Sequence, residues 1–377
     1  MDTTKKEVNT MHKKSILMLI LMTIPLLIAL PYSLFSSSPL NQKLTTTLPF
    51  TYTYAFPLLF GCLYIAILFV CAIYAYKHKK NMRFIMMAII LMICLSVASM
   101  PFQESKTTTS QKGLRIVSYN VGNHLTYKSL DKLLKGNDVV VLCEYGQYDA
   151  RNEADFTAIK ILMKQANINI NNYDLFMSKI VLGTADGAIG PVTVITRKSL
   201  NYQMDDNFTY STTFGTLHIK SKHAPEIIAL HTAPPLAMLK NEWQNDLQLI
   251  SEKLIKKYPD AIILGDFNAT MRHSSLSTIK THKDVLNVLP FWKRGTWHTK
   301  MPCFIRSSID HILIPSDSKV KNVSVMDLGE SDHCAIYVEY SYLFMRIMFE
   351  KRLNFFFKRF LGKVMVEYGF HRMLFLY

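Results

Sequence analysis

The stretch AIILGDFNAT, from Ala261 to Thr270, places four apolar residues and a glycine directly before Asp266, and Asn268 follows two positions later. A short apolar run bounded by Gly and Asn predicts a core strand that ends in a turn. Because an ionised carboxylate is costly to bury without partners, Asp266 either caps this turn or faces a cleft in which another group pairs with it.

Polar side chains recur at the ends of apolar runs throughout the region from 114 to 340. A single such residue is usually a cap or a turn residue. Several together indicate that one edge of a sandwich of sheets carries a site. The residues concerned are Asn120, Glu144, His231, Asp266, Asn268, Asp310, His311, Asp332 and His333.

Predicted helices alternate with these predicted strands, and the longest of them are Arg151 to Asn167 and Leu236 to Tyr258. Helices interleaved with strands in this way indicate an α/β domain with helices packed on sheets. The region from 114 to 340 is long enough to bury a core of its own.

The residue types at the predicted strand ends favour one kind of chemistry. Oxygen ligands from Glu, Asp and Asn, without a cluster of Cys and His, are typical of Mg²⁺, Mn²⁺ or Ca²⁺ sites. A cation, carboxylates that orient water and histidines that hold or transfer protons together favour hydrolysis of a phosphate ester. The 6 cysteines have no paired spacing, which predicts neither a disulfide framework nor a zinc site.

Six segments in a fixed order carry a resemblance to a known family. They are SYNVGN, VVLCE, ALHTAPP, ILGDFN, GTWH with SSIDHILI, and ESDHCAI. Together they resemble the endonuclease/exonuclease/phosphatase superfamily, which has the DNase I-like fold, over residues 114–340. The resemblance implies an α/β fold, a four-layer α/β sandwich in which two mixed sheets pack face to face with helices outside.

The resemblance also implies a divalent metal site. Glu144 is expected to be the principal ligand, with Asn120 and Asp332 beside it. The expected ion is Mg²⁺, with Mn²⁺ or Ca²⁺ as alternatives.

Five further residues receive catalytic roles from the same resemblance. Asp266 would orient or activate the attacking water, and Asn268 would contact the phosphate. His333, held by Asp310, would hydrogen-bond the scissile phosphate or act as a base. His231 would contact the phosphate or protonate the leaving oxygen, and its structural alternative is a strand-end histidine bonded to a backbone carbonyl.

Three neighbouring features have other interpretations. His311 follows Asp310 directly, so it should face the opposite side of the strand and be structural. Trp297 is interpreted as a packing residue first and a substrate contact second. The stretch GTADGAIG (183–190) lacks the lysine of a phosphate-binding P-loop and is expected to form a turn near the site.

Three apolar runs precede this region, and they cover Ser15 to Phe35, Tyr52 to Tyr76 and Phe84 to Met100. A membrane span needs about 20 apolar residues, so we expect three transmembrane helices (15–35, 52–76 and 84–100) within residues 1–100. For the first run the alternative is a cleaved signal peptide. Basic residues before the first run and at 77–83 place both in the cytoplasm, which puts the chain after Met100 outside the cytoplasmic membrane.

Charge is distributed unevenly along the chain. The whole chain has a formal net charge of +15, whereas residues 114–340 contain 25 basic and 23 acidic residues, a net charge of +2. The domain therefore lacks the overall basic charge typical of nucleic-acid binding. Residues 101–113 form a polar linker, and residues 341–377 form a basic amphipathic tail that either lies on a membrane surface or packs on the domain.

These observations leave three functional hypotheses. The first is a membrane-anchored nuclease outside the cytoplasmic membrane, in an arrangement that resembles bacterial membrane-anchored members of the superfamily. The second is the same hydrolysis applied to a lipid headgroup or a small phosphoester. The third is a non-catalytic binding module that retains the fold, and the intact set of site residues argues against it.

Overall fold

The computed structural model describes residues 38–48, 50–57, 103–106, 113–184 and 187–341, with single helical positions between 59 and 77. The predicted spans 15–35 and 84–100 lie outside the described residues, as does the predicted tail apart from Ser341. Within the part of the chain that is described, no helix combines the length and apolar character needed to cross a membrane.

Two six-stranded sheets form the centre of the molecule, and their strands are numbered in chain order below. The strands are β1 (Leu114–Asn120), β2 (Val139–Cys143), β3 (Gln147–Tyr148), β4 (Ala154–Asp155), β5 (Tyr173–Met177), β6 (Thr193–Arg197), β7 (Gln203–Met204), β8 (Thr216–Lys220), β9 (Ile227–His231), β10 (Ile262–Asp266), β11 (His282–Asp284), β12 (Asp310–Pro315), β13 (Lys319–Met326) and β14 (Ala335–Ser341). The strand orders in the two sheets are β13-β14-β1-β2-β6-β5 and β11-β12-β10-β9-β8-β7. The pairs β1–β2 and β9–β10 are parallel, whereas the pairs β1–β14 and β10–β12 are antiparallel, so both sheets are mixed.

The two sheets pack face to face and enclose the main core. Ile116 and Val141 of the first sheet lie in one buried cluster with Leu264 and Ile312 of the second. Because helices cover the outer faces as well, β2, β9 and β10 are buried on both sides, which explains why their sequences are continuous apolar runs.

Helices form the two outer layers. They are α1 (Pro39–Thr45), α2 (Phe50–Ala55), α3 (Tyr127–Leu134), α4 (Thr157–Gln165) and α5 (Lys240–Gln248), which continues through a π-helical stretch (Leu249–Leu254) into a last α-helical turn (Ile255–Lys257). Leu130 of α3 packs with Val117 on the first sheet, and Trp243 of α5 packs with Ile263 on the second. The predicted four-layer α/β sandwich is thus confirmed.

One predicted helix begins later than the sequence indicated. The helix expected from Arg151 starts at Thr157, because the residues before it form the hairpin β3–β4. The Asp149 carboxylate accepts hydrogen bonds from the backbone N–H groups of Arg151 and Glu153 and so closes the hairpin turn. Local bonds of this kind compete with helix formation.

The N-terminal segment (residues 39–56), which contains α1 and α2, packs on the domain. Its residue Tyr54 is only 4% exposed, and its ring lies 6.5 Å from that of His273. The carbonyl oxygen of Thr51 lies 3.0 Å from Nε2 of the same histidine. Tyr54, near the start of the predicted span 52–76, is therefore in contact with the domain surface, and the span itself stays a prediction.

The predicted linker is described at residues 103–106, where it also follows the domain surface. The backbone N–H of Glu104 donates to the carbonyl of Asn287 at 2.8 Å, and the Gln103 side chain donates to the carbonyl of Val288 at 3.0 Å. The connection to β1 is thus fixed to the domain at these four residues.

His273 makes the stability of the fold pH-dependent. Burial favours its neutral form and lowers the pKa of His273 from 6.5 to about 4. The unfolded chain therefore takes up this proton at higher pH than the native protein, so stability is fully present above pH 6.5 and is lost as the pH falls towards 4. The loss should approach about 3 kcal/mol, from 1.36 kcal/mol per pKa unit.

Denaturant unfolding of the full-length protein in detergent, followed between pH 7 and pH 4, measures this loss. His273→Gln does not titrate and serves as the control. Its stability should decline less over the same range, and parallel declines in the two proteins would contradict the assignment.

Candidate active site

The site is assembled by strand register in the second sheet. Asp266, the last residue of β10, is directly opposite His231 of β9 on one side and Asp310 of β12 on the other. Three of the predicted residues are therefore placed in one row across neighbouring strands, and all three side chains are buried.

Asn120 connects this row to the first sheet. Its amide nitrogen donates to Oδ2 of Asp266 and to Oε1 of Glu144, each at 2.9 Å. Its amide oxygen accepts the backbone N–H of Gly122 at 3.0 Å, and this bond fixes which end of the amide faces the carboxylates. Asn120 thus orients Glu144 and Asp266, and its predicted role as a direct metal ligand stays a prediction.

Glu144 is held in place by the backbone around it. It has a left-handed conformation with φ of 57°, which is unfavourable for a residue with a Cβ atom. Gly190, the last residue of the predicted glycine-rich turn, lies against it, and a Cβ atom at Gly190 would approach the Glu144 carbonyl carbon to 2.5 Å. The turn expected near the site is therefore a direct support of Glu144.

His333 contacts two of the buried carboxylates. Its Nδ1 lies 2.9 Å from Oδ2 of Asp310, as predicted, and its Nε2 lies 3.7 Å from Oδ2 of Asp266. Burial opposes a charge on this ring, but the charges of Asp310 and Asp266 outweigh burial and raise the pKa of His333 to about 10. His333 is therefore a cationic donor at neutral pH.

His231, unlike His333, is uncharged. Burial is the largest influence and lowers its pKa, so the ring is neutral. Its Nε2 lies 3.6 Å from Oδ2 of Asp266 and 3.7 Å from Oε1 of Glu144, whereas its Nδ1 is buried without a hydrogen-bond partner among the described residues. A hydrogen on Nε2 avoids leaving a buried donor unpaired at Nδ1.

Asn268 lies at the turn that follows β10. Its backbone N–H donates to Oδ1 of Asp266 at 2.8 Å, and its side-chain amide donates to the carbonyl of Thr232 at 2.9 Å. Its own carbonyl accepts a hydrogen bond from Nε1 of Trp243 at 3.1 Å. These bonds hold a left-handed backbone with φ of 45° and bring the amide within 3.4 Å of Nε2 of His231.

Asp332 is at the edge of the group. Its side chain is 45% exposed, and its Oδ2 accepts a hydrogen bond from Nε1 of Trp297 at 2.8 Å. Its Oδ1 lies 4.0 Å from Nε2 of His333. Trp297 thus packs beside the site and holds Asp332, whose role as a metal ligand stays a prediction.

The donor set fits a divalent cation. Among the described residues, the ion pairs of Glu144, Asp266 and Asp310 are all with histidines, of which only His333 is charged. Burial and, next, the charge of Asp310 raise the pKa of Asp266. Ligand atoms of Asp266, Asp310 and His333 lie within 4.8 Å of one another.

Glu144 is the carboxylate best placed to hold such an ion. Its side chain is 25% exposed, so an ion can reach it, and its only ion-pair partner in the described chain is the neutral ring of His231. His333 is less suitable as a ligand, because its nitrogens carry hydrogens that face Asp310 and Asp266.

The sequence predicted the members of this site better than their surroundings. His311 is on the opposite face of β12, as expected, where its Nδ1 lies 2.6 Å from Oδ2 of Asp284 and its Nε2 lies 2.8 Å from the carbonyl of Ala269. Trp243 and His273, which support the turn containing Asn268, were not predicted from the sequence. Neither lies at the end of an apolar strand, so the pattern that identified the other residues gave no signal for them.

Gly190→Ala should weaken metal binding, because the added methyl group would displace the Glu144 backbone. We expect a loss of about 10-fold or more in Mn²⁺ affinity, the range found when groups that orient metal ligands are altered. Isothermal titration with Mn²⁺ measures this. Gly187→Ala is the control, since a Cβ atom there meets nothing within 4 Å and adds only backbone strain at a φ of 75°. Equal affinities in the two variants would contradict the role of Gly190.

Comparison with known protein families gives a match. The model of the family described as "Endonuclease/Exonuclease/phosphatase family" matches residues 117–333, which is more than half of the chain. Comparison with curated proteins finds no match.

Similar solved structures include an endonuclease/exonuclease/phosphatase from Bacteroides vulgatus (15% identity, 62% of this chain and 100% of that chain, TM-score 0.41). Another is from Beutenbergia cavernae (13% identity, 61% and 72%, TM-score 0.46). A third is the inositol polyphosphate 5-phosphatase domain of SPsynaptojanin with inositol (1,4)-bisphosphate and calcium (15% identity, 61% and 83%, TM-score 0.40). On the match to the family model, this chain belongs to the endonuclease/exonuclease/phosphatase family.

Proposed function

We propose that the protein is a phosphodiesterase that depends on a divalent metal ion. The observation that carries the proposal is the environment of Asp266, whose Oδ2 lies within 3.7 Å of Nε2 of both His231 and His333 and accepts a hydrogen bond from Asn120. A buried carboxylate can hold a water molecule here, while the neutral and the cationic histidine beside it hold a phosphate next to that water.

The side chains divide the work between water and phosphate. Asp266 orients the attacking water and accepts its proton, and its raised pKa suits a proton acceptor. His333, which is cationic and oriented by Asp310, donates to a phosphate oxygen. Asn268 and His231 hold the phosphate from the opposite side, where they lie 3.4 Å apart.

The metal ion would be held by Glu144 with neighbouring carboxylates, and Mg²⁺ or Mn²⁺ suits such oxygen ligands. When bound, the ion would neutralise phosphate charge in the transition state. It would also balance the negative charge that the histidines of the site leave uncompensated.

Nucleic acid is the first substrate that we propose. Asp266 would accept the water proton, and the cationic His333 would donate a hydrogen to the leaving oxygen, as cleavage of a diester with a poor leaving group requires. We further propose that the domain acts outside the cytoplasmic membrane, tethered by the apolar runs of the N-terminal hundred residues.

A second substrate class is a lipid headgroup or a small phosphoester. It is favoured by the net charge of only +2 over residues 114–340. It is also favoured by Phe56, which lies within the predicted second span (52–76) and whose ring lies 6.1 Å from that of Trp297. The proposed membrane entry is therefore close to the rim of the site.

Asp266→Asn should lower kcat by about 100-fold or more, because it removes the proton acceptor, and His333→Ala should have an effect of similar size. Turnover is measured with the full-length protein in detergent, using Mn²⁺ with and without EDTA. Asp260→Asn is the control, since this exposed carboxylate lies six residues before Asp266. Near-wild-type turnover of Asp266→Asn would refute the assignment.

The same assay distinguishes the substrates. Plasmid DNA, RNA, phospholipid vesicles and bis(4-nitrophenyl) phosphate are offered in parallel. Metal-dependent nicking that is lost in Asp266→Asn would establish a nuclease, and release of a headgroup without nicking would establish the second class. Silence on all four substrates would refute phosphodiester hydrolysis.

The membrane topology has its own test. A reporter enzyme fused after Tyr340 should be active on the outer side of the cytoplasmic membrane, because an odd number of spans precedes it. A reporter that works only in the cytoplasm would contradict the proposed orientation. A fusion in the basic stretch 77–83, which is expected in the cytoplasm, is the control.

A further inference from the structure

The N-terminal segment (residues 39–56) is bonded to the part of the chain that follows Asn268. Oγ1 of Thr45 accepts the backbone N–H of Ser274 at 2.8 Å, and the carbonyl of Thr51 lies 3.0 Å from Nε2 of His273. Thr45 and Thr51 are buried in these contacts. The segment is thus hydrogen-bonded to the loop that connects β10 to the rest of the second sheet.

The side chain of His273 connects the segment to this loop by hydrogen bonds. Its Nδ1 accepts the backbone N–H of Thr270 at 2.9 Å, which leaves the ring hydrogen on Nε2 to be donated to the carbonyl of Thr51. One buried, neutral ring therefore connects two backbone groups that are 219 positions apart, from 51 to 270.

The loop held by His273 carries Asn268. Thr270 is two residues beyond Asn268, and the ring of Trp243 packs edge-on against His273 at 5.4 Å while its Nε1 donates to the Asn268 carbonyl. At its other end the loop is fixed by the strand register of Asp266. The left-handed backbone of Asn268 is therefore held between the sheet on one side and the N-terminal segment on the other.

We infer that the N-terminal segment supports the active site through Thr45 and Thr51, and that His273 acts as a positioning residue that fixes Asn268 for phosphate binding. This rests on the proposed function. It places the requirement for activity outside the residues 117–333 matched by the family model. A domain that begins at Gly113 would lack the bonds from Thr45 and Thr51 to the loop beyond Asn268.

The test compares substitutions in the loop, at His273, with substitutions in the N-terminal segment of the full-length protein. His273→Ala removes both bonds, and His273→Asn keeps an acceptor near the Nδ1 position but no longer reaches Thr51. Thr45→Val removes the acceptor for Ser274 from the segment side. Thr53→Val is the matched control, because Oγ1 of Thr53 bonds only to Phe50 within the segment.

We expect His273→Ala to lower kcat on bis(4-nitrophenyl) phosphate by about 10- to 100-fold, the range that a small misplacement of a substrate-binding group produces. Thr45→Val and His273→Asn should lower it by at least about 3-fold, with Mn²⁺ affinity unchanged, whereas Thr53→Val should match the wild type. Full activity of both Thr45→Val and His273→Asn would overturn the inference, because the loop would then be held without the segment.

Hydrogen exchange separates this inference from the proposed function. If the wild type hydrolyses no phosphodiester, the proposed function fails, but the amides of Asn268 and Thr270 still report on the loop. Their exchange should be faster in Thr45→Val and unchanged in Thr53→Val. Equal exchange in wild type and Thr45→Val would overturn the link between segment and loop.

Discussion

The amide group of Asn120 is where the two sheets of the sandwich meet at the site. Each of its two N–H bonds is donated to a carboxylate, one from each sheet, and its oxygen is fixed by the backbone. The two carboxylates can share one amide only if β1 and β10 keep their relative position, which the apolar core between the sheets determines. The packing of the two sheets thus determines the relative positions of Glu144 and Asp266, and the histidines and the turns are arranged around that pair.

The protonation state of each histidine at this junction depends on the balance between burial and the charges in direct contact with the ring. The same low-dielectric surroundings leave His231 neutral and oppose a charge on His333, yet His333 is charged because Asp310 is a direct partner and Asp266 is close. Two histidines that are alike in the sequence therefore acquire different protonation states from their neighbours. A hydrolytic site needs both states at one pH, and here the fold provides them.

Much of this arrangement could be predicted from the sequence. The bounds of β1 and the approximate positions of β2, β9, β10 and β12 follow from apolar runs, since doubly buried strands require them. The site residues follow from strand ends, because polar groups at successive ends converge on one edge. β13 was not predicted, since as an edge strand it alternates buried and exposed residues, with lysine and asparagine on the exposed side. The hairpin β3–β4 was missed because side-chain bonds within four residues override helical periodicity.

The contact between Thr51 and His273 shows a different limit. It joins residues 222 positions apart through a backbone carbonyl, so no side-chain pattern at Thr51 records it. It also imposes an order of events on the growing chain. The N-terminal segment is synthesised before its binding surface, which exists only after β10 and the loop beyond it have been made. Residues 39–56 can therefore dock in this way only after Ser274 has been added to the chain.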